Sequence, residues 1–281
     1  MILFTSLLVI ENKTFYTFFN VFLFFVFLFL MYKLSQRLYY RFFNKSMLVH
    51  FYPVKKKLPE SDKNYLSIHF KFYKNLNPKS KRNFEHRVAV FLKEKQFIGR
   101  QDFEVTKNVK LLISATAIML TFGMKNYLIK VIDLIIIYPK AFYSTINNNN
   151  HKGEFNPNLK AIVFSWEDFL SGYQIDNDNL NLGIHEFTHA IHFNSLSQND
   201  YSAKIFKKSF NDLALFLSKN ESLRKELIAS AYFRDYAFTN QFEFLAVLIE
   251  NFIETPENFK SHFPDLYRKV KQLLKFNFAN Y

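Results

Sequence analysis

In the stretch NLGIHEFTHAIHFN, residues 181–194, His185 and His189 stand four apart and Glu186 directly follows the first of them. On a helix, positions i and i+4 share one face about one turn apart, so both imidazoles can be aimed at a single ion. Zinc takes imidazole nitrogen at about 2.0–2.1 Å. Glu186 lies to the side of that face, able to reach a metal-bound water without being a ligand. Two histidines that hold zinc, and a glutamate that takes a proton from the water zinc acidifies, are the parts of a helical metallopeptidase centre. The pattern is short enough to arise by chance, and an ordinary helix carrying histidines is the competing reading. The neighbours Leu182, Ile184, Phe187, Ala190 and Ile191 are apolar and mark the helix as buried. Buried histidines need partners, and a metal supplies one.

A catalytic zinc needs a third protein ligand and an open position. The chain has no cysteine, so His, Asp or Glu must supply it, and disulfides and thiolate chemistry are excluded. His192 shares the helical face, but on an unbroken helix it stands about 10.5 Å from His185 along the axis. Two nitrogens on one zinc are at most about 4 Å apart, so His192 is expected to be structural or to support a ligand. A later segment, NQFEFLAVLIENF, carries Glu243 and Glu250 seven residues apart on one face of an otherwise apolar helix. Carboxylates there are costly to bury unpaired, so each wants a cation or a donor. One would be the third ligand and the other would support a ligating histidine; the spacing alone does not choose between them.

The elements that must position these residues are legible in outline. FEHRVAVFLKEKQFIG alternates apolar and charged residues at helical spacing, and TKNVKLLISATAIMLTFGM reads as a long buried helix. VIDLIIIYP (131–139) and KAIVFSW (160–166) read as strands, and the Asn-rich YSTINNNNHKGEFNPN between them as a loop. Two or three helices follow the histidine helix, among them 238–256, closed by Pro256. The expected body is an α+β domain, a small sheet with helices packed against it, large enough to bury a core.

Residues 15–32, FYTFFNVFLFFVFLFLMY, carry no charge. With flanking residues, such a run crosses a hydrocarbon core of roughly 30 Å, and a soluble helix rarely stays apolar around its circumference for so long. Bulky residues stand where a signal-peptidase site would want small ones, so an uncleaved anchor is expected over a cleaved signal. Lys33, Arg37, Arg41, Lys45 and Lys55 to Lys57 follow the run, whereas little beyond Lys13 precedes it. The positive-inside rule then predicts a single-pass membrane protein with its body on the cytoplasmic side, the basic segment lying on anionic lipid. The net charge is +13, but no nucleic-acid recognition pattern accompanies it, so nucleic acid is not an expected partner. The 37 Phe could reflect biased codon supply and carry little functional weight.

Taken in order, FLKEKQFIG, LLISATAIMLTFG, IIIYPKAF, AIVFSWEDFLSGY, NLGIHEFTHAIHF and YAFTNQFEFLAVLIENFIETPENFKSHFPDLYRKVKQLLKFN resemble the Mlc titration factor A family of zinc-dependent peptidases. These are glutamate-ligand zincins related in fold to the anthrax lethal factor catalytic domain. The resemblance covers about Phe84 to Asn277. It implies a zincin-like metallopeptidase fold and one zinc per chain on His185, His189 and Glu243. It also implies Glu186 as the general base, Tyr236 near the active site as an oxyanion partner, and Glu250 in support. The family usually has HEFAHQLD, so His192 stands here in place of an Asp. In zincins the substrate lies along an edge strand beside the active-site helix, and KAIVFSW is the expected one.

The division expected from sequence is a short tail (1–14), an anchor (15–33), a basic connector (34–83) and a metallopeptidase domain (84–281). The expected partner is a peptide or protein substrate. The alternative is a binding protein that sequesters a regulatory partner, such as a transcriptional repressor, at the membrane.

Overall fold

The computed structural model describes residues 2–144, 149–175, 177–279 and 281, with side chains from residue 15 onward except that of Ser144. Contacts divide the chain into Met1–Met47 and Leu48–Tyr281.

The first unit is helix α1 (Ile2–Phe43). Its stretch Phe15–Phe43 is, among the described residues, the helix long and apolar enough to cross a membrane. Phe18, Phe22 and Phe25 stand exposed within it.

The second unit begins well before residue 84. Helices α2 (Glu60–His69) and α3 (Lys71–Asn75) precede α4 (Pro78–Glu94), and Leu66, Phe70, Phe72 and Tyr73 are buried in its core. Arg87 of α4 has no exposed surface. Its guanidinium donates to the carbonyls of Val49, Thr121 and Phe122 and to the Tyr52 hydroxyl. That clamp ties residues 49–52 to the body, so the stretch expected as a connector (34–83) belongs to it from Leu48 onward. A buried guanidinium is tolerable only when its donors find acceptors, and four of the five do here.

Strand β1 (Gln96–Gly99) leads to α5 (Lys107–Leu120). Helix α5 is capped by the Thr106 hydroxyl and buried along nearly its whole length. After it come β2 (Leu134–Tyr138), β3 (Phe142–Ser144), β4 (Asn149–His151), β5 (Gly153–Asn156) and β6 (Ala161–Ser165). The main sheet has the order β1-β2-β6-β5, parallel except for β5, and β3 and β4 form a separate antiparallel pair.

This order corrects the expectation about the edge. KAIVFSW becomes β6, which lies inside the sheet between β2 and β5. The edge beside the histidine helix is β5, in the Asn-rich stretch expected to be loop. Its composition is poor for strand, and pairing with the strongly apolar β6 holds it in the sheet.

The remaining helices are α6 (Trp166–Gln174), α7 (Leu182–Ser197), α8 (Tyr201–Lys219), α9 (Glu221–Ala229), α10 (Gln241–Glu254), α11 (Pro256–His262) and α12 (Pro264–Leu274). A 3-10 turn, Asp235–Phe238, leads into α10. Helix α7 packs against α5, α8, α10, β5 and β6, which explains why it is apolar around most of its circumference. The architecture is the expected α+β one.

Candidate metal centre

Asn181 fixes the start of α7, its side-chain oxygen accepting from the Ile184 N–H at 3.0 Å. Asn240 does the same for α10, accepting from the N–H groups of Phe242 and Glu243 at 2.8 and 3.0 Å. Glu243 therefore sits in the first turn of α10, where the helix dipole favours a carboxylate. Both helix starts are defined to the residue, and the packing of α7 on α10 brings His185, His189 and Glu243 together.

The His185 Nε2 lies 3.0 Å from the His189 Nε2 and 2.9 Å from the Glu243 Oε2, and the His189 Nε2 is 3.5 Å from that same oxygen. Two ligands on one tetrahedral zinc stand about 3.3 Å apart, so the triangle has the right size. Its chemistry also calls for a cation. The other ring nitrogen of His185, Nδ1, is 2.6 Å from the Glu250 Oε1. A carboxylate only accepts, so Nδ1 donates and Nε2 of the neutral ring carries a lone pair. That lone pair faces a second acceptor, Glu243, across 2.9 Å, a contact that a proton or a metal ion between them reconciles. Burial pushes the His185 imidazole down, but its hydrogen bonds to Glu243 and Glu250 overcome this and lift it to about 10. Burial likewise pushes Glu243 up, yet the His185 and His189 imidazoles hold its carboxyl well below the usual carboxylate range. The three residues fit a metal of the kind that accepts N and O donors.

A family model described as glucose-regulated metallo-peptidase M90 matches residues 52–275. The chain belongs to this family. It is therefore a metallopeptidase by membership, and the match starting at residue 52 agrees with a body that begins ahead of α2. A relative from Synechocystis sp., the uncharacterized protein slr2042, is 25% identical over 215 residues, covering 72% of this chain and 78% of its own.

In this M90 chain Glu186 is buried and lines a cavity with His185 and Tyr236. A Cβ placed on Gly153 of β5 would come within 2.7 Å of the Glu186 Cγ and 2.9 Å of its Oε1. Gly153 thus lets the sheet edge approach the carboxylate. Burial pushes the Glu186 carboxyl up, against the pull of His185 and His189. Gly153→Ala is expected to displace Glu186 and lower turnover about tenfold or more with metal content unchanged, read by steady-state kinetics beside metal analysis.

Tyr236, in the 3-10 turn, places its ring 6.0 Å from the His185 ring. Burial, the Glu243 charge and a hydrogen bond to it push the phenol up to about 12. The residues expected to act at the site, His185, Glu186, His189, Tyr236 and Glu243, are brought to one place. Glu250 is wholly buried and supports His185. His192 is not among the donors. Its ring packs 4.4 Å from Phe210 and 4.9 Å from Phe242, its Nδ1 has no hydrogen-bond partner, and burial lowers it to about 4.

One residue escaped the sequence reading. Arg234 clamps Glu250 with two contacts, Nη1 to Oε2 at 2.5 Å and Nη2 to Oε1 at 3.0 Å, and also donates to the Asn179 carbonyl. This is the cation that Glu250 requires. The only signal in the sequence was an apolar helix with a carboxylate and no local basic partner. Arg234→Met is expected to weaken metal binding about 10–100-fold, measured by chelator competition. The double variant with Glu250→Gln should bind no more weakly than Glu250→Gln alone, because the buried charge that needed Arg234 is gone.

Proposed function

We propose that this chain is a membrane-anchored zinc peptidase whose body faces the cytoplasm. Family membership supplies the metallopeptidase activity. The observation that carries the finer reading is the triangle of half-buried acceptors on His185, His189 and Glu243, beside a fourth side chain, Glu186, with a separate role. Zinc held there would supply positive charge that polarises the scissile carbonyl and acidifies water. Glu250, itself held by Arg234, keeps the Nδ1–H of His185 in place and leaves Nε2 free for the ion. Glu186 takes the proton of the attacking water and returns it to the leaving amine; a carboxyl pushed up by burial is closer to neutral pH, where such transfers are most efficient. Tyr236 donates its phenol hydrogen to the oxyanion that develops on the former carbonyl.

The substrate backbone is expected to lie along β5. Lys152 O accepts from Ser165 N at 2.6 Å, and the alternation of an antiparallel ladder then turns the N–H and C=O groups of Gly153 and Phe155 outward. Those groups can pair with an added strand. The apolar helix Phe15–Phe43 supports membrane anchoring, and Lys33, Arg37, Arg41 and Lys45, which follow its uncharged run 15–32, support the cytoplasmic side. Peptide-library cleavage by the full-length chain in detergent, with Glu186→Gln as control, tests the reading: cleavage that the variant lacks supports it, and equal cleavage by both contradicts it.

A further inference from the structure

Two cavities beside the metal donors differ in chemistry. Toward His185 and Glu186 lies a cavity of about 400 Å³ lined by Lys152, Asp168, Arg234 and Glu250 among others. Toward His189 and Glu243 lies one of about 320 Å³ whose remaining walls are Phe155, Pro157, His192, Phe193, Leu196, Phe242 and the cap Asn240. His189 and Glu243 form the inner wall of the second cavity, so whatever enters it stands next to the reacting bond.

The apolar walls are built from three elements. Phe155 of β5 meets Phe193 of α7 edge to face at 5.6 Å, and Phe242 of α10 covers the His192 ring. Phe193, Leu196 and Phe242 are 38%, 51% and 42% exposed, an apolar surface converging on the metal donors. Burying it against an apolar substrate side chain is favourable, whereas a charged side chain there would lose water beside Phe155, Phe193, Leu196 and Phe242.

We propose that this cavity selects substrates with a bulky apolar residue, aromatic or large aliphatic, immediately N-terminal to the scissile bond. The inference rests on the peptidase reading above. The side follows from the strand. An antiparallel partner, the more stable arrangement per residue, runs along β5 from Phe155 toward Gly153. Its chain passes the apolar cavity first, reaches the metal donors and Glu186, and continues into the polar cavity. The residue before the cut therefore meets Phe155, Phe193 and Phe242.

Two peptide series test this on the zinc-supplemented full-length chain in detergent, with cut positions read by mass spectrometry. One series varies the residue before the cut among Phe, Leu, Ala, Glu and Lys, and the other varies the residue after it. The expected result is a kcat/KM for Phe or Leu about 10–200-fold above that for Ala, with Glu and Lys lower still, in the first series only. Phe193→Glu and Leu196→Glu, on exposed positions of α7, should each erase most of that preference and raise Lys relative to Phe while zinc content holds. Equal rates across the first series, a preference confined to the second, or an unchanged Phe-to-Lys ratio in both variants overturns the inference while leaving the peptidase reading intact. No cleavage of any peptide by the zinc-loaded chain overturns both.

Discussion

Glu186→Gln is expected to lower kcat about 10²–10⁴-fold while the metal stays bound. The amide fills the same space beside Gly153 and lies outside the donor triangle, so it leaves His185, His189 and Glu243 in place. What it cannot do is take a proton from water. The pH profile should show the same group. The base must be ionised, so kcat/KM is expected to fall on an acid limb as the Glu186 carboxyl takes up a proton, and the residual activity of the variant should lack that limb. The same variant separates cleavage from sequestration: a biological effect that survives it would belong to binding of a partner, not to hydrolysis.

Glu243→Ala is expected to have the other large effect, loss of the metal itself. Without the carboxylate two histidines alone face the ion, and the chain should retain well under one metal at concentrations that saturate the wild type. Stability follows binding. With free zinc at a thousandfold its Kd, the wild-type chain gains about 4 kcal/mol, roughly 8–16 °C in Tm for a body of this size, and Glu243→Ala should show almost none of it. The sign of the pH dependence is fixed by His185. In the metal-free chain its imidazole is lifted from 6.5 to about 10. The stability that this proton contributes is thus fully present below pH 6.5 and lost as pH rises through about 10. Zinc must displace the proton, so its affinity rises with pH over that window, by up to about tenfold per unit. The Tm gap between zinc-loaded and chelator-treated wild type should therefore be wider at pH 9 than at pH 6, which melting curves measure directly.

Why some parts of this site are readable from sequence and others are not is a matter of distance along the chain. His185, Glu186 and His189 lie within one helical turn and a half, so helix geometry alone places them. Excluding His192 needs only the rise per residue, and the structure buries it among Phe206, Phe210 and Phe242. Glu243 and Glu250 are harder. Both sit on one face of α10, and both reach His185, because an imidazole offers two nitrogens on opposite edges: Glu243 faces Nε2 and Glu250 faces Nδ1. Spacing of seven residues cannot say which carboxylate meets which edge; the cap at Asn240 and the packing of α10 on α7 decide it. Arg234 pairs with Glu250 across a turn and most of a helix, and no local pattern announces such a pair. The edge strand was missed for a different reason. β5 is Gly-Glu-Phe-Asn, a sequence with little strand preference of its own, held extended by β6. The early start of the body was missed because the residues that anchor it, Val49 and Tyr52, are recruited by a buried Arg87 more than thirty positions later.

The central claim is that His185, His189 and Glu243 hold one zinc ion in a site that leaves room for water. Zinc-edge X-ray absorption on the purified full-length chain, with stoichiometry measured on the same sample, tests it most directly. The expected result is one zinc per chain with two imidazole nitrogens and a carboxylate oxygen at about 2.0–2.2 Å, plus at least one non-protein oxygen, and loss of the signal in His185→Ala. A chain that takes up no stoichiometric zinc, or a shell that survives His185→Ala unchanged, would contradict it.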